Sequence, residues 1–112
     1  MHSQKTVITG KVNSAPTLNT DSAGTIICDF EVEVARARKG KSPDRTYFHV
    51  SVSGKRAGDI FSALKIGDEV TVTGHIKANA TLNDQGDAVS QLNLFALNIE
   101  YSEDVCARMG AR

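Results

Sequence analysis

The segment from Arg36 to Arg45, RARKGKSPDR, has the clearest potential for ligand chemistry. It contains a single carboxylate, that of Asp44, and five cations: Arg36, Arg38, Lys39, Lys41 and Arg45. Guanidinium and ammonium groups at this density are suited to holding phosphates by charge and hydrogen bonding. We interpret the segment as a flexible cationic arm that grips a phosphate backbone. An ordinary solvated hairpin loop is the alternative.

Two side chains that follow this arm, Tyr47 and His49, could contact nucleic-acid bases at its foot. Bases stack on aromatic rings, so a ring beside a phosphate-binding segment suits a single-stranded nucleic acid. Lys55 and Lys77 complete the set of candidate contacts. The predicted nucleic-acid site therefore comprises Arg36, Arg38, Lys39, Lys41, Arg45, Tyr47, His49, Lys55 and Lys77.

The net charge of the whole chain does not add to the positive charge of this site. The 112 residues contain 13 basic and 13 acidic side chains, so the formal net charge is zero. Between Ala78 and Ala107 there is no basic residue, while Asp84, Asp87, Glu100, Glu103 and Asp104 occur there. The sequence thus predicts a positive and a negative pole, and binding that depends on local charge.

Catalytic and metal-binding patterns are not visible in the sequence. There is no paired nucleophile and base, no glycine-rich phosphate loop and no Cys or His cluster, so we expect no enzymatic activity, no cofactor and no metal. Cys28 and Cys106 fit no metal spacing. We also find no secretory leader and no apolar run of membrane-spanning length, and expect a soluble cytoplasmic protein.

Hydrophobic periodicity predicts five strands and one helix, which is an all-β pattern. The helix covers Ala57 to Leu64, and a Gly67 turn follows it. In the next strand Val70 and Val72 alternate with threonines, and Gly74 marks a bend. The predicted strands are Thr6–Val12, Thr25–Arg38, Arg45–Ser53, the second half of Leu64–Ile76, and Val89–Tyr101. All four phenylalanines, Phe30, Phe48, Phe61 and Phe95, are predicted to be core residues.

Five strands with a helix between the third and fourth is the order of the OB-fold, a Greek-key barrel. Four segments, KTVITGKVNSAPTL, HVSVSGK, LKIGDEVTVTGHI and FALNIEY, resemble bacterial single-stranded DNA-binding proteins (SSB) and their shorter primosomal relative PriB. The resemblance covers residues 5 to 101. It implies an OB-fold domain over residues 1–102, and we expect residues 103–112 to form a short flexible tail.

The same resemblance implies sequence-tolerant binding of single-stranded DNA in replication, repair or mobile-element DNA handling. It places Tyr47, Ser53, Arg38 and Thr81 at the family's four base-stacking positions, where only Tyr47 is aromatic. An OB-fold protein-interaction module that has lost most nucleic-acid binding is the alternative. The absence of tryptophan, the zero net charge and the outward Glu31 and Glu33 favour it. Neutralisation of these glutamates by Lys5, Lys11 or Lys77 is left open.

The resemblance also implies partners. We expect single-stranded DNA, a second copy of the chain in a dimer or tetramer, and replication or recombination proteins as partners, in a bacterial cytoplasm or from a plasmid or phage. A small barrel leaves open strand edges, which favours pairing between copies.

Overall fold

The computed structural model describes residues 5–82 and 84–108, and within them the side chains of 79–81 and 88–90 are outside the description. Within these ranges six strands and two helices follow one another. They are β1 (Lys5–Val12), β2 (Thr17–Thr20), β3 (Ile26–Arg38), β4 (Lys41–Ser53), α1 (Arg56–Ala63), β5 (Glu69–Leu82), β6 (Ala88–Tyr101) and α2 (Glu103–Arg108). Neither helix in these ranges is long and apolar enough to cross a membrane.

Five of the strands close into a barrel in the order β1-β5-β6-β4-β3, and β3 pairs back onto β1. The closing pairs are Lys11 with Glu33 and Val12 with Val32. The strands β4 and β6 run parallel, and α1 connects β4 to β5. This is the predicted OB-fold with its helix between the third and fourth barrel strands. The short strand β2, which pairs with the first part of β3 on the edge away from β4, was not predicted.

The core fills the barrel with the inward side chains of alternating strand positions. Valines at 32, 50, 52, 70 and 72 and Leu94 are fully or almost fully buried, and Ile60 of α1 packs against the same cluster. The predicted inward sides of these strands are therefore confirmed. Cys28 belongs to this core, and its burial raises the pKa of the thiol to about 11, so it stays protonated at neutral pH.

The predicted bend at Gly74 is present as a shift in register between β5 and β6. Thr73 pairs with Asn98 but Gly74 pairs with Ala96, so Leu97 is an extra residue on β6. A Cβ atom on Gly74 would lie 2.2 Å from the backbone oxygen of Phe95. The two strands can approach this closely only because position 74 has no side chain.

The cationic segment Arg36–Arg45, which was predicted to be an arm between two strands, instead consists mostly of strand residues. The strands β3 and β4 extend beyond the barrel as a two-stranded ribbon, in which Arg36 pairs with Asp44 and Arg38 with Lys41. Only Lys39 and Gly40 lie outside the strands, and Gly40 has a φ of 71°, as a tight turn requires. A register shift between Arg36 and Arg38 accommodates Pro43 within β4.

The prediction of a flexible tail from residue 103 is also wrong for residues 103–108, which form α2. Val105 is fully buried and joins the core cluster. Arg108 donates a hydrogen bond of 3.1 Å from Nε to the carbonyl oxygen of Ala63 and pairs with the carboxylate of Asp68. Tertiary packing therefore holds this short helix against the barrel. Residues 109–112 are outside the described part.

Candidate nucleic-acid interface

The outer face of β4 carries the predicted base contacts. Phe48 and Val50 point into the barrel, so Arg45, Tyr47 and His49 point out. The side chain of Tyr47 is 46% exposed, which leaves its ring available for stacking. The structure thus brings these three predicted site residues together on one surface.

Arg36 and Arg38 lie on the opposite face of the ribbon from Tyr47. Side chains alternate along a strand, so Arg36 and Arg38 lie on the same side of β3 as Val32 and Val34. Arg36 also lines a groove together with Val7 of β1. Arg38 donates a hydrogen bond of 2.9 Å to Asp44. The predicted cations are therefore divided between two faces of one ribbon, and a strand contacting all of them would have to wrap around it.

The ribbon as a whole is positive. Residues 33–47 contain five cations and two carboxylates, those of Glu33 and Asp44, which leaves a net charge of plus three. Lys39 and Lys41 at the turn are exposed and form no ion pair within the described part of the chain. Both ammonium groups are therefore accessible to phosphates.

The remaining two lysines of the predicted site differ in position. Lys77 of β5 is the cross-strand partner of Asn93 on β6, and Asn93 is the partner of His49 on β4. Lys77 therefore lies on the same outer surface as His49, two strands away. Lys55 lies at the start of α1, beyond the end of β4 that is remote from the ribbon turn. The structure therefore joins Lys77 to the outer face and leaves Lys55 at the other end of the barrel.

An acidic row runs along β3 beside this face. Asp29, Glu31 and Glu33 are the cross-strand partners of Ser51, His49 and Tyr47, respectively. Glu33 accepts a hydrogen bond of 3.2 Å from Arg45, and Glu31 accepts one from the Asn13 side chain. Lys11 lies opposite Glu33 on β1, but among the described residues none of Lys5, Lys11 and Lys77 forms an ion pair with Glu31 or Glu33. Arg45 is the cation that offsets one of them.

Asp29 fixes the polar side chains of β4. Its Oδ1 atom accepts a hydrogen bond of 2.6 Å from the Ser51 hydroxyl and lies 3.1 Å from Nε2 of His49. Its Oδ2 atom accepts a bond from Asn19 of β2. This network holds the imidazole in a defined orientation on the outer face. The described residues contain no group of three His, Cys, Asp or Glu side chains placed to hold a metal ion.

Two of the four phenylalanines are not core residues. Phe30 and Phe48 are buried as predicted, but Phe95 is 49% exposed and Phe61 is 45% exposed. Phe95 pairs laterally with Ser51, which puts its ring on the same outer surface as His49 and Tyr47. Sequence reasoning missed this second ring. Of the other predicted stacking positions, Ser53 is exposed at the end of β4, and the side chain of Thr81 is outside the described part.

A closed OB-fold barrel with a cationic ribbon and exposed rings on its strands defines a class of small β-barrel proteins with an open ligand face. Within that class the chain belongs to the single-strand binding protein family, whose model matches residues 3–102. Its fold is similar to the crystal structure of a small single-stranded DNA-binding protein from Streptomyces coelicolor. That similarity has a TM-score of 0.76 and 19% identity, over 92% of this chain and 97% of the other. No curated protein matches the chain significantly.

Proposed function

We propose that this protein binds single-stranded DNA without sequence preference, by phosphate contacts from the β3–β4 ribbon and by stacking on Tyr47. The observation that carries the proposal is the position of an exposed tyrosine ring at the base of a ribbon with a net charge of plus three. Membership of the single-strand binding protein family supports it. Such binding needs positioning and charge but no chemical step.

The two contributions have different physical signatures. Stacking of a base on an aromatic ring contributes about 1–3 kcal/mol and depends little on salt or on the base. Phosphate contacts release counterions, and the affinity then falls with salt in proportion to the number of phosphates neutralised. Arg36, Lys39 and Lys41 carry the salt-dependent part, because Arg38 and Arg45 already form ion pairs with Asp44 and Glu33.

A titration of a labelled thymine oligonucleotide of about thirty nucleotides tests this proposal. Binding at low salt that weakens in both Tyr47→Ala and Lys41→Ala supports it. Lys65→Ala is the matched control, because Lys65 is an exposed lysine in the turn after α1, away from the ribbon. Absence of binding by the unmodified protein at low salt would contradict the proposal.

The acidic row on β3 favours a second candidate, an OB-fold module that binds another protein in place of DNA. Asp29, Glu31 and Glu33 lie beside the outer face of β4, where they would repel a phosphate backbone. The same titration separates the two candidates, because this module would not bind the oligonucleotide at any salt concentration.

We expect the protein to act as at least a homodimer in the cytoplasm, in replication, repair or mobile-element DNA handling, with an SSB-like or a PriB-like role. On its β3 side β1 is paired only at Lys11 and Val12, so the segment from Lys5 to Gly10 has one unpaired edge within the described residues. Such an edge is suited to pairing with a second copy. Light scattering that reports a stable monomer at tens of micromolar would contradict a dimer.

A further inference from the structure

Phe95 lies at the centre of a lateral row that crosses four strands of the outer face. Lys5 pairs with His75, His75 with Phe95, and Phe95 with Ser51. About half of Phe95 is exposed. Contact between an apolar ring and water is unfavourable, so covering this ring with a ligand would lower the free energy. The position therefore suggests a ligand with an apolar, flat group.

The charges on the two sides of β4 are opposite in sign. On one side lies the acidic row of β3. On the other side the sequence has no acidic residue between Val70 and Asn83 or between Ala88 and Ile99. Lys5 and Lys77 lie on that side, and neither forms an ion pair within the described residues.

Resting on the proposed function, we propose that the DNA strand leaves Tyr47 and crosses β4 onto β6, where Phe95 stacks a second base. Lys77 and Lys5 then contact the phosphates on either side of that base. Phe95 lies one strand over and four residues along from Tyr47, which corresponds to about 14 Å. A path along β3 would instead bring the phosphates against three carboxylates, and each close approach is unfavourable.

The strand path is tested by replacing the ring. Phe95→Ala should weaken oligonucleotide binding about fivefold or more, since a stacked base contributes at least that factor. Phe61→Ala is the matched control, because Phe61 is exposed to a similar extent but lies on α1. The slope of log affinity against log salt should not change in Phe95→Ala, whereas Lys77→Ala should reduce it by about 0.7.

A photocrosslinking experiment tests the same path in the unmodified protein, independent of how any variant folds. An oligonucleotide carrying 5-iodouracil should crosslink to Phe95 as well as to Tyr47. Crosslinks confined to Tyr47 and to β3 would overturn the proposed path.

The outcomes separate this inference from the proposed function. If Tyr47→Ala weakens binding while Phe95→Ala and Phe61→Ala bind as the unmodified protein does, the path over β6 is wrong and the proposed function stands. If Phe95→Ala changes the oligomeric state in light scattering while each protomer keeps its affinity for DNA, Phe95 belongs to a contact between copies and the inference is overturned. If the unmodified protein binds no oligonucleotide, both fail.

Discussion

Arg45 donates a hydrogen bond of 3.2 Å from Nη1 to Oε1 of Glu33, and this ion pair joins β4 to β3 beside Tyr47. Both side chains are partly exposed, so the pair contributes little to folding stability. Its larger effect is on the ligand. The carboxylate cancels part of the field of Arg45 and repels a phosphate that approaches the tyrosine ring.

Glu33→Gln should therefore strengthen binding of single-stranded DNA. Glutamine keeps an acceptor for Arg45 but removes the charge, and a gain of about 1 kcal/mol corresponds to about fivefold in affinity at low salt. Fluorescence anisotropy with a thymine oligonucleotide measures the change. Glu100→Gln is the control, because Glu100 pairs with Thr71 at the remote end of β6. Equal affinities in all three proteins would show that the DNA does not pass Glu33.

The ring of Tyr47 should matter more than its hydroxyl group. Tyr47→Ala should cost about 1–3 kcal/mol of binding free energy, while Tyr47→Phe should bind almost as the unmodified protein does. The melting temperature should change little in either variant, because the side chain is half exposed. Equal losses in both variants would mean that the hydroxyl group makes the contact and that the ring does not stack.

The ribbon should account for a defined part of the salt dependence of binding. A net charge of plus three on residues 33–47 neutralises about three phosphates, so the ribbon should contribute about −2 to the slope of log affinity against log salt. In the double variant Lys39→Ala/Lys41→Ala the slope should become less steep by about 1.4, because two phosphate contacts are lost. A steep slope that the double variant leaves unchanged would place the phosphate contacts elsewhere on the protein.

The barrel could be predicted from the sequence because strand alternation reports burial directly. Val70 and Val72, for example, alternate with threonines and are buried, and the Gly74 bend is where two backbones meet. Strand pairings that close the barrel involve residues far apart in the chain. They followed from the resemblance and not from the alternation itself.

The exposure of Phe95 could not be predicted, because the alternation of β6 is interrupted. Leu94 to Leu97 is a continuous run of apolar residues, so the pattern does not show which of them face inward. The extra residue opposite the Gly74 bend determines which side chains face inward. Before it Leu94 is buried, and after it the alternation changes phase, so that Ile99 is the next buried residue. A register shift of this kind depends on the partner strand.

The ribbon and α2 were missed for a related reason. The sequence around Gly40 and Pro43 has low strand propensity, and cross-strand hydrogen bonds override it. Likewise, a helix of six residues is not stable alone, and α2 depends on contacts with the barrel. Local patterns contain no information about such tertiary contacts.

Packing of α2 should contribute measurably to stability. Val105→Ala should lower the free energy of unfolding by about 2 kcal/mol, because the removed methyl groups come from a fully buried side chain. Urea denaturation followed by circular dichroism measures it. Glu103→Ala changes an exposed residue of the same helix and should have little effect. A flexible segment would show the same stability in both variants.

Gly74→Ala should destabilise the protein and displace Phe95 together. The new Cβ would lie 2.2 Å from the backbone oxygen of Phe95, so β5 and β6 must separate, at a cost of about 1–3 kcal/mol or more. Gly58→Ala is the control, because that glycine lies in α1 with open space around it and should become more stable by up to about 1 kcal/mol. Urea denaturation gives both values.

Under conditions where it remains folded, Gly74→Ala should also bind the oligonucleotide more weakly, because the Phe95 ring moves with its backbone. Unchanged stability in Gly74→Ala would mean that the two strands can separate here without loss, and Phe95 would then not be held rigidly enough to serve as a stacking surface.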